Sequence, residues 1–159
     1  TLGLYPQHNT YSILDIGYGG GAFLKAAHQA EFDCYGYDIT GIKPPDGCVF
    51  IEPHEIPFDI ITMYDVLEHY EDLTIIKNYD ARYFIISVPN CRYPENNKWF
   101  ENWKHRRPDE HLHHFNRRSL TMLMNTFGYD LLRANYIEDT IRKEKTPYNI
   151  LTAVFGRND

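Results

Sequence analysis

Ile13-Leu-Asp-Ile-Gly-Tyr-Gly-Gly-Gly-Ala-Phe-Leu24 runs from an apolar strand into a glycine cluster and on into a helical pattern. Glycine lets the backbone turn sharply and lie close to a ligand, and the start of the following helix offers unpaired N–H groups. A second strand, Cys34-Tyr-Gly-Tyr-Asp-Ile39, comes next and ends on Asp38. An acid at that place can accept hydrogen bonds from ribose hydroxyls. The layout is that of a nucleotide-cofactor site, and Gly17, Gly19 and Ala22 also fit the dinucleotide pattern G-x-G-x-x-G/A.

Working outward, apolar runs alternate with helical patterns, the signature of a parallel sheet with helices on its faces. Strands are expected at Ser12 to Ile16, Cys34 to Tyr37, Cys48 to Ile51, Phe58 to Met63, Tyr83 to Val88, Tyr129 to Tyr136 and Tyr148 to Phe155. Helices are expected at Ala22 to Ala30 and at Leu67 to Asn78, with Asp72-Leu-Thr as a place where the second restarts. A third runs from Arg118 to Phe127, with Leu120, Leu123, Met124 and Phe127 at helical spacing and Gly128 as its stop. Gly41-Ile-Lys-Pro-Pro-Asp-Gly47 is too short and too broken for a crossover helix. The polar Ile137-to-Pro147 connection reads as a long hairpin loop.

With 159 residues the chain is expected to form one domain, spanning 1–159. It starts at Thr1 without an initiator Met, as a fragment or a processed chain would, and almost nothing precedes Tyr11. No apolar run approaches membrane-spanning length, and no signal peptide is visible. Cys34, Cys48 and Cys91 are odd in number and scattered, which argues against a disulfide framework and fits a reducing cytoplasm. A net charge of −6 argues against generic nucleic-acid binding, although Lys98, Lys104, Arg106, Arg107, Arg117 and Arg118 gather in one stretch.

A further block, Phe58-Asp-Ile-Ile-Thr-Met-Tyr-Asp-Val-Leu-Glu-His69, reads as a buried strand, a polar loop and a helix start. Asp15-x-Gly17-x-Gly19-x-Gly21, Asp38 and this block together resemble the class I S-adenosylmethionine-dependent methyltransferases, from about Tyr11 to about Phe155. The resemblance is to the small-molecule, ubiquinone-biosynthesis-like type. It implies a doubly wound, Rossmann-like, three-layer α/β/α fold. Its seven-stranded sheet would be mostly parallel, with the last strand antiparallel. It also implies S-adenosylmethionine as cofactor. Asp15 would then reach the amino-acid part of the cofactor through water or a backbone group. Gly17, Tyr18, Gly19 and Gly21 would form the loop beneath the methionine portion. Asp38, followed by Ile39, would take the ribose hydroxyls. Glu52 matches the acid that accepts from the adenine amino group, and Ile56 would pack on the ring. Glu stands here where Asp is commoner, and Pro53 has no N–H to donate. The backbone of Met63 and Tyr64 would line the floor near the transferred methyl.

A dehydrogenase would use the same glycine loop. It would also need a proton-relay group and a second domain, and no Tyr-x-x-x-Lys pair occurs in the chain. Methyl transfer asks the protein chiefly to hold the acceptor atom behind an activated carbon and to exclude water. An oxygen acceptor often needs a base. His69 and His111 are the candidate bases, with His113 and His114 beside the latter. Residues 90–115 form the expected acceptor lid. They include Tyr93, Trp99, Phe100 and Trp103, then Lys104-His-Arg-Arg107, then Asp109-Glu-His-Leu-His-His-Phe115. The same segment also reads as a helix packing its two tryptophans into the core with a solvated basic face. Glu110 to Phe115 resembles a segment that in small-molecule relatives positions the loop before the next helix.

The expected activity is methyl transfer to an oxygen or nitrogen atom of a small molecule, with no metal assigned, no membrane and no nucleic acid. Two alternatives stand beside it. One is a non-catalytic relative of the fold. The other is an RNA-directed enzyme with a divalent ion at Asp65, Glu68 and His69, completed by a histidine of the later cluster. Ubiquinone-pathway and small-RNA methyltransferases carry a similar acid-x-x-Glu-His pattern, with Glu where Asp65 stands. The N-P-P-Y motif of amino-directed DNA enzymes is absent; Met63-Tyr-Asp-Val stands in its place.

Overall fold

The computed structural model describes residues 10–92 and 97–158. In chain order the elements are β1 (Ser12–Ile16), α1 (Ala22–Gln29), β2 (Asp33–Tyr37), β3 (Val49–Phe50), β4 (Phe58–Tyr64) and β5 (Ala81–Pro89). Then come α2 (Asn97–Glu101), α3 (Arg117–Thr126), β6 (Tyr129–Asn135), α4 (Ile137–Ile141) and β7 (Ile150–Arg157). One seven-stranded sheet takes the order β3-β2-β1-β4-β5-β7-β6. Neighbours from β3 to β5 are parallel, and β7 runs antiparallel to both β5 and β6. This is the doubly wound, Rossmann-like architecture with an antiparallel last strand. The chain order reverses between β1 and β4, which places a crevice beyond the carboxyl ends of those strands.

The period-two alternation of the strands builds two faces. Leu14, Ile16, Ile61, Met63, Phe84 and Ile86 point into the larger core, which α3 closes with Leu120 and Met124. Ile13 points the other way and meets Leu24 and Ala27 of α1. α3 begins with a capping box: Asn116 Oδ1 accepts from Ser119 N at 3.0 Å, and Ser119 Oγ lies 3.0 Å from Asn116 N as its acceptor. Among the described residues no helix is long and apolar enough to cross a membrane.

Four sequence expectations change. Leu67 to Asn78 is not one helix but two 3-10 segments, Leu67–His69 and Leu73–Asn78. Tyr70 and Asp72 between them are extended, and Asp72 caps the second segment by accepting from Thr74 N at 2.8 Å. The Ile137-to-Pro147 connection is not all loop, because α4 occupies its first residues. Asn135 Oδ1 accepts from Ile137 N at 3.1 Å, and Asp139 accepts from Asn149 N and Ile150 N at 3.0 and 2.8 Å. Those last two bonds delay the final strand, which begins at Ile150 rather than Tyr148. The third strand shrinks to Val49–Phe50. Residues 41–47 carry no helix, in keeping with their two prolines.

Candidate cofactor and acceptor site

The glycine loop turns directly out of β1. Gly17 has φ +73°, and its N–H donates to the Tyr37 carbonyl at 2.7 Å, which ties the end of β1 to the end of β2. A Cβ on Gly17 would lie 2.5 Å from the Val66 Cγ2 methyl. Conformation and contact therefore both demand glycine here. Gly21, at φ +70°, opens α1 with its N–H on the Tyr18 carbonyl at 2.8 Å.

Asp38 stands just past β2 and holds this loop. Its Oδ2 accepts from Gly19 N at 3.0 Å, and its Oδ1 accepts from Thr40 N at 3.0 Å and Thr40 Oγ1 at 2.6 Å. Burial alone would push this carboxyl up. The bonds from Thr40 and Gly19 outweigh it and hold the pKa below the usual carboxylate range. A carboxylate offers about four acceptor sites. Three are taken, and the free one lies on Oδ2. Asp15 is 3% exposed and accepts from Thr62 Oγ1 at 2.7 Å. Burial raises it to about 7, helped by the negative charge of Asp38 and opposed by the Thr62 bond.

A cavity of about 600 Å³ opens beyond these strand ends. Of the residues singled out from sequence, Gly17, Asp38, Ile39, Glu52 and His69 line it, together with Asp65. Ile39 is 91% exposed, an apolar side chain left standing beside the acid that follows β2. Tyr18, Gly19 and Gly21 line a separate hollow of about 350 Å³ with Lys25 and Pro45. The Tyr18 ring packs over Gly36, and its hydroxyl donates to the Ile42 carbonyl. Met63 is fully buried in the core, and the Tyr64 ring centroid sits 5.1 Å from that of Phe23. Ile56 is exposed and outside the cavity lining. Tyr37, Pro53, His54, Tyr70, Ile75 and Tyr79 also line the cavity, and sequence reasoning gave them no role. Tyr37 directly precedes Asp38, which was the one available signal. Tyr70 and Tyr79 flank the two 3-10 segments, where a continuous helix was expected.

Asp65 follows β4 with φ +54° and forms an ion pair with Arg142 Nη1 at 2.5 Å. Arg142 also bonds Glu138 at 2.7 Å, so α4 reaches over the end of β4. Behind Asp65, the structure brings Glu68, His69 and His111 together, with one ligand atom of each within 4.8 Å of the others. Glu68 is 1% exposed, and both carboxylate oxygens are buried without a partner. Burial pushes it up to about 8, opposed first by its own nearby backbone N–H, with the charge of Asp65 adding and that of Arg142 opposing. His69 Nδ1 lies 2.8 Å from the Glu110 carbonyl, and His111 Nδ1 lies 2.8 Å from the His105 carbonyl. A carbonyl only accepts, so each Nδ1 carries a hydrogen, and in the neutral ring Nε2 is the nitrogen with the lone pair. Burial and the neighbouring His69 lower His111, which favours its neutral form. The Glu68 carbonyl fixes this geometry by accepting from Leu112 N and His113 N at 2.8 and 3.1 Å.

Two imidazoles and a carboxylate, with both histidines oriented by carbonyls, fit a first-row divalent ion. The orphaned Glu68 carboxylate is the donor such an ion would satisfy. Asp65 points to Arg142 and stands outside this cluster, and His111 completes it.

The segment expected to form the acceptor lid holds α2. Trp103 is buried, its ring 5.2 Å from that of Trp99, while Arg106 lies over Phe100 at 5.4 Å. Tyr93 lies outside the described residues.

The methyltransferase-domain family matches this chain over residues 4–134. Comparison with curated proteins finds no match. Among solved structures, the 1,6-didemethyltoxoflavin-N1-methyltransferase of Burkholderia thailandensis, with bound 1,6-didemethyltoxoflavin and S-adenosylhomocysteine, superposes with TM-score 0.67 at 14% identity. The match covers 94% of this chain and 72% of that one. A Haloferax volcanii methyltransferase in complex with the Trm112 activator gives TM-score 0.67 at 11% identity, covering 97% and 85%. Magnesium protoporphyrin IX methyltransferase from Synechocystis, with bound S-adenosylhomocysteine, gives TM-score 0.64 at 15% identity, covering 94% and 75%.

Proposed function

The chain belongs to the class I S-adenosylmethionine-dependent methyltransferases, and from that premise we propose that it moves the cofactor's methyl group to an oxygen or nitrogen of a small molecule. The observation that carries the reading is a single cavity lined by Gly17, Asp38, Ile39 and Glu52 together with His69. Asp38 uses its free Oδ2 site for a ribose hydroxyl, Ile39 covers one face of the adenine, and Glu52 stands at the ring's edge. The whole chain acts as one catalytic domain, and a reducing cytoplasm suits its three scattered cysteines.

Bound S-adenosylmethionine would supply a methyl carbon activated by its sulfonium, open to in-line displacement by the acceptor's lone pair with the neutral thioether as leaving group. The acceptor's proton passes to the free Nε2 of His69, whose Nδ1–H is held by the Glu110 carbonyl. His111 packs edge-on against His69 at 4.7 Å between centroids and serves as second base or as support. The protein's main contribution is orientation and exclusion of water.

A second reading adds a divalent ion, and the partnerless Glu68 carboxylate is what favours it. Glu68, His69 and His111 would hold the ion. It would supply Lewis-acid polarisation of an acceptor hydroxyl.

Calorimetric titration with S-adenosylhomocysteine, on wild type and Asp38→Ala, tests the main reading. Micromolar binding lost in the variant supports it. A folded wild type that binds nothing would favour the non-catalytic alternative. A radiolabelled methyl-transfer screen over hydroxyl and amine acceptors then identifies the acceptor atom.

A further inference from the structure

A second cavity, of about 460 Å³, lies beyond the carboxyl end of β5. Its lining includes Arg92, Arg117, Arg118, Asn116, Tyr136 and Tyr148, and among the described residues no carboxylate lines it. Every ion pair found among the described residues uses other cations: Lys43, Lys104, Arg107, Arg142 and Arg157. Three arginines thus line one hollow with no acid among its described lining residues, in a chain whose net charge is −6.

Two of the three stand where charge repels them. Arg117 and Arg118 are the first residues of α3, and its first turn holds no acid. A helix start carries partial positive charge and disfavours cations. Asn116 Oδ1 caps Ser119 N, so the N–H groups of Arg117 and Arg118 have no helical acceptor. Arg92 is held from the other side, its guanidinium 5.2 Å from the Trp99 ring and its Nε buried without a partner. The wall is rigid. Asn90 Nδ2 donates to the Tyr148 carbonyl at 2.8 Å, and the Tyr148 ring meets Tyr136 edge-on at 5.0 Å. Tyr148 itself has φ +61°, a conformation a tyrosine keeps only when its surroundings impose it. These features make sense together if an anion completes the hollow.

We infer that this cavity binds a phosphoryl group carried by the methyl acceptor. The inference rests on the proposed function, because it makes the cavity the anchor of the same substrate. Three guanidinium groups and a helix start suit a dianion with three peripheral oxygens better than a single carboxylate. The position also suits an anchor. β5 lies beside β4, and Asn90 comes just beyond Ser87, which pairs with Tyr64. The step from the end of β4 is therefore roughly 10 Å, the reach of a small acceptor between its methylated atom and its phosphate.

The test uses the full chain at constant ionic strength, with phenyl phosphate, benzoate and inorganic phosphate as probes, followed by calorimetry. A second titration with S-adenosylhomocysteine runs on every protein. The expected result is binding of phenyl phosphate and inorganic phosphate, weakened about tenfold or more by Arg117→Gln/Arg118→Gln and by Arg92→Gln. Cofactor-product affinity and melting temperature should stay unchanged in these variants. Equal binding by wild type and variants would overturn the inference, as would a preference for benzoate over phenyl phosphate. No phosphate binding by a wild type that binds S-adenosylhomocysteine would also sink it. Tight, salt-dependent binding of an RNA oligonucleotide without any phenyl phosphate binding would move the site to a nucleic acid instead. Phosphate binding without cofactor-product binding would leave the cavity assignment standing and remove the enzyme reading.

Discussion

Asp38 Oδ2 accepts a hydrogen bond from the backbone N–H of Gly19 at 3.0 Å, so the acid after β2 and the loop after β1 form one unit. Substituting Asp38 should therefore do two things at once. Asp38→Ala removes the ribose acceptor and releases the glycine loop. Asp38→Asn keeps an oxygen for one donor and loses the charge. S-adenosylhomocysteine affinity should fall about a hundredfold or more for Ala and about tenfold for Asn. The amide resonance of Gly19 should shift in both. Unaltered affinity in the alanine variant would remove Asp38 from the cofactor site.

Gly17 and Val66 make a second linked pair. A Cβ on Gly17 would sit 2.5 Å from the valine methyl, and the backbone is at φ +73°. Gly17→Ala should cost about 2–4 kcal/mol, from positive-φ strain plus overpacking. Gly17→Ala/Val66→Ala should recover only the contact part, leaving about 1 kcal/mol or more from the backbone. Urea unfolding of the four members of the cycle measures both shares. Full recovery in the double variant would show that the conformation carries no cost.

The legibility of the chain divides along the same lines. β1 is read from sequence to the residue, because an apolar run stopped by glycine has one simple solution. The end of β2 was likewise legible, since Asp38 follows an apolar strand directly, whereas β4 runs one residue past the expected Met63, to Tyr64. The break in Leu67 to Asn78 was not, because apolar spacing suggested one helix while the Asp72 side chain captures Thr74 N instead. α4 was hidden in a polar stretch, since its stability comes from Asn135 and Asp139 bonding across the loop rather than from any apolar periodicity. The meeting of His69 with His111 depends on two backbone bonds to the Glu68 carbonyl from Leu112 and His113. No local pattern encodes a contact over that distance in the chain. The alternation of the strands, by contrast, told directly which side chains share a face.

Asp15 gives the stability a definite pH sign. Its folded pKa is raised to about 7, chiefly by burial, above the ordinary aspartate value of 3.8. Between those values the folded chain keeps a proton that the unfolded chain has lost. Its contribution is fully present below pH 3.8 and is lost as pH rises through about 7. Asp15→Asn keeps an oxygen to accept from Thr62 and cannot ionise. The variant should match wild type near pH 4 and become the more stable of the two near pH 8. Urea midpoints at both pH values check this. Parallel pH profiles for the two proteins would show that Asp15 titrates normally.

The cluster of Glu68, His69 and His111 makes its own prediction, separable from catalysis. Both imidazoles already donate Nδ1–H to carbonyls, and both Glu68 oxygens lack partners, so an ion would find three donors prearranged. A ligand that binds only the folded state raises the melting temperature by mass action. Protein stripped with chelator should therefore gain several degrees on addition of Zn²⁺ or Mn²⁺, with one ion bound per chain by equilibrium dialysis. Glu68→Gln and His111→Ala should each abolish the gain. Asp65→Asn should leave it nearly intact, because Asp65 is engaged with Arg142 and stands outside the cluster. Loss of the gain in Asp65→Asn but not in His111→Ala would instead place the ion on the Asp65 side, over the cofactor cavity. Absence of any stoichiometric ion in the stripped and reloaded wild type would leave His69 and His111 as bases only. The buried Glu68 would then be a protonated acid at neutral pH, as its raised value of about 8 implies.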